Sequence, residues 1–196
     1  SKGLYFDPRQ PSDLEDILAD TEFGKDDIAY AQKIRRLIVE NGVTKYNLEP
    51  RRLADWNSRG QNIILVPGQV EDDASIRFGC SGVKTNVGLL EAVRAANPDA
   101  FIVYKPHPDV MAGNRNGRIA LQEAARWADH IETRLSVISC IEACDEVHVM
   151  TSLTGFDALL RGKRVVTYGE PFYAGWGLTE DFARNGLALP RRVRKL

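Results

Sequence analysis

The sequence predicts an α/β fold: a Rossmann-like, doubly wound and mainly parallel sheet, preceded by N-terminal helices. Three observations lead there. From Asn62 onward, short apolar runs alternate with amphipathic helices, the order that puts helices on both faces of a parallel sheet. The runs Asn62 to Val66 (NIILV) and Ala100 to Tyr104 (AFIVY) are continuously apolar, as strands covered on both faces must be. Finally, the polar segments PGQVEDDAS, KPHPD and TSLTG each follow such a run, so they fall at the carboxyl ends of strands. Open α/β sheets bind their ligands there.

Taken in order, residues 1–60 read as a lead-in segment with helices. Ser12-Asp13-Leu14-Glu15 is a capping-box pattern after Pro11, and Leu14, Ile17 and Leu18 supply an apolar stripe. A second helix, from about Asp26 to Asn41, spaces Ile28, Tyr30, Ala31, Ile34, Leu37 and Ile38 near helical period and stops at Gly42. Arg51, Arg52 and Trp56 read as a solvated basic-aromatic patch. Residues 61–190 then form the sheet domain, and 191–196 a basic tail. After the first strand, a helix is predicted over Val83 to Asn97, ended by Asn97-Pro98. The second strand leads to a helix over 119–129, a short one over Ser136 to Ala143, and a third strand, Val147 to Met150. The turn Thr151 to Gly155 enters a helix over Phe156 to Arg161; Gly162 closes it, and Arg164 to Tyr168 is the last strand.

Bulk properties narrow the class. In the 196 residues, 43% apolar and 27% charged content is that of a globular domain, and a net charge of −1 gives no reason to expect nucleic acid as partner. Three cysteines, Cys80, Cys140 and Cys144, are too few for a disulfide framework. One helical turn separates Cys140 from Cys144, which suits core filling; histidine and cysteine partners at metal-ligand spacing are missing, so no metal is expected. No apolar run reaches the length of a membrane span, and reduced cytoplasm is the expected compartment. Neither GxGxxG after a strand nor GxxxxGK[ST] occurs, which sets aside the usual dinucleotide and P-loop modes.

Chemistry concentrates in the three loops. The first offers Gln69, Glu71, Asp72, Asp73 and Ser75. Three adjacent carboxylates at a strand end can raise one another's pKa and supply an acid, a base or a nucleophile; equally, they are a solvated turn in which Asp73 caps a short helix from Ala74. The second loop, Lys105-Pro106-His107-Pro108-Asp109, is stiffened by two prolines that hold His107 in one direction, for phosphate donation or proton transfer, with Lys105 to neutralise charge. In the third, Thr151, Ser152, Thr154 and Gly155 stand where a strand hands over to a helix N-terminus, which favours phosphate, although such hydroxyls also serve as plain N-caps. Downstream, Glu170 to Gly177 combines aromatics with glycines, either as a wall for a base or sugar with Glu170 accepting ribose hydroxyls, or as an aromatic plug on the sheet. Arg115 and Arg118 read as a solvated loop with some aptitude for anions. A histidine loop, a hydroxyl-lined helix start and a glutamate are what a sugar nucleotide requires.

Three long segments carry a family resemblance: LVPGQVEDDAS, VRAANPDAFIVYKPHPDV and DEVHVMTSLTGFDALLRGKRVVTYGEPFYAGWGLTED. With GLYFDPRQPSDLEDIL and the TKYN at Thr44 to Asn47, they resemble the capsule polysaccharide Kdo transferases of the KpsC/LipB type over nearly the whole chain. The resemblance implies a retaining β-Kdo glycosyltransferase of GT-B type, using CMP-Kdo to build a short poly-Kdo linker on a lysophosphatidylglycerol acceptor. The place implied is the cytoplasmic face of the inner membrane of Gram-negative bacteria, with peripheral membrane contact and capsule assembly or export proteins as partners. It further implies that His107, Pro108, Ser152 and Thr154, with Gln69, Lys105 and Gly155, hold CMP-Kdo, and that Glu170 fits the cytidine ribose. By the same likeness the QVEDDAS turn supplies a carboxylate for a covalent Kdo adduct, Asp73 before Asp72 or Glu71. No cofactor beyond the donor substrate is implied.

Family members carry another Rossmann-like half before the GLYFDPRQPSDLE segment, which forms the acceptor side. The expectation is therefore a donor-binding C-terminal half that binds CMP-Kdo weakly as a fragment and does not transfer alone. Two other classes stay open on the residues: a non-catalytic nucleotide-binding or assembly module, and a metal-dependent phosphate-ester hydrolase using His107 and the carboxylates.

Overall fold

The computed structural model describes residues 2–45, 51–113 and 116–182, without the side chain of residue 121. Its centre is one sheet of β1 (Ile63–Pro67), β2 (Phe101–Lys105), β3 (His130–Ile131), β4 (Glu146–Val149), β5 (Arg164–Thr167) and β6 (Glu180–Asp181). The strand order is β3-β2-β1-β4-β5-β6, and every neighbouring pair is parallel. The predicted doubly wound sheet is thus present. Winding outward from β1 to β3, the chain returns to pair β4 on the free side of β1. The loops after β1 and β4 diverge at that reversal and leave a crevice between them.

Side chains alternate along each apolar strand and feed two cores. On one face Ile64 and Val66 join Ile102, with Ile76 of α3 (Ala74–Gly79) and Leu89, Leu90 and Val93 of α4 (Asn86–Ala96). On the other, Leu65, Val103, Val147 and Val149 pack on Ile138 and Ile141 of α7 (Val137–Ala143) and Ala158 of α8 (Leu153–Leu160). Cys140 and Cys144 sit inside this second core outside any disulfide, and burial pushes the Cys144 thiol up to about 12.

The four apolar strands lie within a residue of where the sequence predicts them, whereas β3 and β6 span two residues each and carry no periodic signal. Helix boundaries follow the caps. α4 begins at Asn86, not Val83, because Thr85 Oγ1 accepts the Gly88 N–H at 3.1 Å. Only α6 (Leu121–Ala124) forms within the helix predicted over 119–129. Asp129 ends it: its N–H donates to Ile102 O (2.8 Å) and its carboxylate takes Ile102 N–H (2.8 Å), which pulls the chain onto the sheet edge.

Before the sheet come α1 (Asp13–Asp20), opened by the expected Ser12/Glu15 capping box, and α2 (Lys25–Glu40). The predicted apolar stripe of α2 faces outward among the described residues, with Tyr30 67% and Leu37 52% exposed. Arg35 Nε nevertheless ties α2 to α8, donating to Leu160 O at 2.6 Å. In the Arg51-Arg52-Trp56 patch both arginines are exposed as expected, with Arg51 paired to Glu142 (2.5 Å), whereas Trp56 is half-buried and its indole N–H donates to Glu132 (3.1 Å). The basic tail lies outside the described residues.

Glu132 anchors this segment to the end of β3. Burial pushes its carboxyl up, but the N–H of Arg134, the Trp56 indole, the N–H of Leu135 and His130 together bring it down to about 2. A depressed carboxylate stabilises the fold above its unfolded pKa and loses that contribution as pH falls through its folded pKa. Thermal melts are therefore expected to show Glu132→Gln less stable than the parent at pH 7, with the difference shrinking between about pH 4.5 and pH 2. A gap that stays constant over that range would contradict the assignment.

Candidate functional site

A cleft of about 390 Å³ opens over the carboxyl ends of the strands, and all three loops line it. The first two fit together because Gly68 has no side chain: a Cβ there would stand 2.8 Å from Tyr104 Oη and 3.1 Å from His107 N. Gly68 N–H also donates to Lys105 O at 2.8 Å.

In the first loop, buried Gln69 spends its side chain on the third. Its Oε1 accepts Thr151 N–H (2.9 Å) and its Nε2 donates to Thr151 Oγ1 (3.1 Å), so the β1 and β4 loops are latched across the switch point. Asn86, 1% exposed, holds Gln69 in turn: its Oδ1 accepts Gln69 N–H (2.8 Å), while Nδ2 donates to Gln69 O (2.8 Å) and Gly117 O (3.0 Å). Asp73 lines the cleft and caps α3, accepting Ser75 N–H on Oδ1 at 2.8 Å. The two readings of this residue are thus compatible. The three-carboxylate cluster that the sequence suggests is not assembled. Glu71 turns to Asn86 N–H (2.7 Å), Asp72 turns to Asn116 Nδ2 (3.1 Å), and neither lines the cleft.

In the second loop, Lys105 ends β2 and lines the cleft while only 6% exposed. His107 caps α5 (Pro108–Met111), and its Nδ1 accepts Asp109 N–H at 3.2 Å. A neutral ring so held carries its hydrogen on Nε2, as a donor. Pro108 takes the first helical position, where no N–H is needed.

The third loop corrects a boundary. α8 starts at Leu153, not Phe156, because Ser152 is its cap: Oγ accepts Thr154 N–H (3.2 Å) and donates to Thr154 Oγ1 (3.1 Å). Ser152, Leu153 and Thr154 line the cleft, so the positive end of α8 opens into it. Gly155 does not line it. Inside the first turn it lies under Tyr173, whose hydroxyl donates to Ser152 O, and any Cβ would collide with that ring. Its place in the sequence reflects packing.

Glu170 lines the cleft, and its N–H donates to Gly79 O at 2.8 Å, at the end of α3. Phe172 is part of an aromatic wall with Phe156 (centroids 5.3 Å apart) and Tyr5 (5.9 Å). Tyr5, Phe6, Thr44 and Lys45 also line the cleft, as do Val137 and Asp157. The first four belong to residues 1–60, whose own pattern signals no chemistry, although the GLYFDPRQ and TKYN segments contain them. Tyr46 and Asn47 of TKYN, and Arg115, lie outside the described residues; Arg118 is exposed and away from the cleft lining. Among the described residues, no three His, Cys, Asp or Glu side chains form a group that could hold a metal ion.

The family described as capsule polysaccharide biosynthesis protein matches residues 1–195. The capsule polysaccharide modification protein LipA of Neisseria meningitidis serogroup B is 49% identical over 99% of this chain, which spans 27% of that protein. The lipopolysaccharide-processing protein LpsZ of Rhizobium meliloti is 37% identical over 98% of this chain, which spans 44% of it. Among solved structures, the β-Kdo 2,7 transferase of Thermosulfurimonas dismutans KpsC superposes with a TM-score of 0.78 at 41% identity, covering 97% of this chain and 59% of that one. The β-Kdo 2,4 transferase of the same KpsC gives a TM-score of 0.84 at 29% identity, over 100% of this chain and 60% of that one. The chain accordingly belongs to the capsule polysaccharide biosynthesis protein family and has the fold of somewhat over half of a KpsC-type Kdo transferase chain.

Proposed function

We propose that this chain is the donor-binding half of a retaining β-Kdo glycosyltransferase that takes Kdo from CMP-Kdo during synthesis of the capsule polysaccharide linker. The observation that carries the reading is the meeting of three loops on one cleft: Asp73 after β1, Lys105 and His107 after β2, and Ser152 with Thr154 after β4. The family and its Kdo transferase relatives support it. A phosphate seated at the start of α8 would meet the positive end of that helix and take hydrogen bonds from the Thr154 hydroxyl and the His107 ring, with Lys105 nearby as countercharge. These groups can stabilise departing CMP without a metal.

Asp73 is suited to the sugar. Ser75 N–H fixes its carboxylate at the cleft wall. In the first step Asp73 bonds to the anomeric carbon as the bond to the CMP phosphate oxygen breaks, and that electron pair leaves with CMP. In the second, an acceptor hydroxyl gives its proton to a base and displaces Asp73; two inversions amount to retention. The acceptor in this proposal is a lysophosphatidylglycerol-linked Kdo chain bound by another half of the module, at the cytoplasmic face of the inner membrane and beside capsule assembly proteins. No helix among the described residues is long and apolar enough to cross a membrane.

The test is transfer by protein carrying the complete module, with CMP-Kdo, acceptor and a chelator. CMP release and Kdo transfer undiminished by the chelator are expected. Loss of activity on chelation, together with hydrolysis of simple phosphate esters, would instead support a metal-dependent hydrolase.

A further inference from the structure

The cleft has two ends, on opposite faces of the sheet. At one, Asp73 and Ser75 belong to α3 and its cap, whose Ile76 lies in the first core, and Glu170 leans on the end of that same helix. At the other, Asp157 and Val137 belong to α8 and α7, which cover the second core. Both ends meet α8 or the turn before it. Thr151, just before it, touches Ser75 (Oγ1 to Oγ, 3.0 Å); Ser152 and Thr154 form its first turn; Asp157 follows one turn later.

This order constrains how a nucleotide sugar can lie. With the phosphate at the α8 N-terminus and the transferred sugar at Asp73, the nucleoside is directed to the other end of the cleft, where Asp157 lies. Asp157 then stands ~5 Å further along the axis than Thr154, a step comparable to that from a 5′-phosphate to the ribose hydroxyls. Its carboxyl is prepared for such a partner. Oδ2 accepts the Thr44 hydroxyl at 3.1 Å, and no donor among the described residues is bonded to Oδ1. Burial pushes this carboxyl up, against the opposing pulls of Thr44 and Arg161, so further hydrogen-bond donors would be welcome there. Glu170, by contrast, lies at the α3 side of the cleft, its N–H on Gly79 O at the last residue of that helix.

We propose that Asp157, steadied by Thr44, binds the ribose hydroxyls of the nucleotide in this cleft, in place of Glu170. The proposal rests on the CMP-sugar reading above. It also makes the segment before the sheet, through Thr44, part of the donor site and not a linker.

The experiment is calorimetric titration of the chain with CMP and with 2′-deoxy-CMP, for the parent, Asp157→Asn, Asp157→Ala, Glu170→Ala and His107→Ala. Asp157→Asn can still accept from Thr44 but presents an amide to the ribose, which guards against a mere folding defect. Expected is a parent that prefers CMP to its deoxy analogue, and Asp157 variants that bind CMP about ten-fold more weakly with that preference erased. Glu170→Ala should keep the preference, and His107→Ala should weaken both ligands alike. If the Asp157 variants keep the preference while His107→Ala still weakens binding, this assignment is overturned and the CMP-sugar reading stands. No saturable CMP binding by the folded parent overturns both.

Discussion

Replacing Asp73 with asparagine in a transfer-competent module is expected to lower Kdo transfer at least about a thousand-fold while CMP affinity changes less than about three-fold. Asparagine retains an Oδ1 to accept Ser75 N–H, so the cap of α3 and the local fold survive; only the nucleophilic charge is lost. Asp72→Asn should transfer at close to the parent rate, because Asp72 faces Asn116 outside the cleft lining. Steady-state CMP release and mass spectrometry of a trapped adduct measure both. Full activity in Asp73→Asn, or its loss in Asp72→Asn, would move the reacting carboxylate elsewhere.

The second large effect is expected at a residue remote from the reacting atoms. Asn86→Ala removes three side-chain hydrogen bonds and leaves the backbone N–H and C=O of buried Gln69 without partners. Each buried group so orphaned costs on the order of 1–3 kcal/mol, so a loss of roughly 3 kcal/mol and a drop in melting temperature of about 10 °C are expected. Binding should suffer as well, because Gln69 holds Thr151 and thereby the approach to α8. Thermal melts with and without CMP report both effects. An unchanged melting temperature would show that the loop does not depend on this latch.

Much of this was legible in the sequence because it rests on local signals. Continuous apolar runs such as NIILV specify buried parallel strands, and a strand followed by a hydroxyl turn or by KPHPD places polar groups at its carboxyl end. The hydroxyl turn was legible as an N-cap, though Ser152 caps a helix that starts three residues earlier than expected, and the His107 cap of α5 was not read. What stayed hidden depends on contacts distant in sequence. Glu71 and Asp72 look identical in kind to Asp73, and only Asn86 and Asn116 decide that they turn away. Gly155 reads as a phosphate glycine until Tyr173 is seen lying across it. Asp157 sits on an ordinary helix, and nothing local announces that Thr44, 113 residues earlier, meets it at the cleft.

The claim on which everything else depends is that the three loops hold the phosphate of a cytidine nucleotide. Calorimetric titration of the folded chain with CMP, with UMP as control, addresses it directly. Saturable CMP binding is expected, weaker for UMP, and reduced about ten-fold or more in both His107→Ala and Ser152→Ala. CMP binding that both substitutions leave unchanged would contradict that claim.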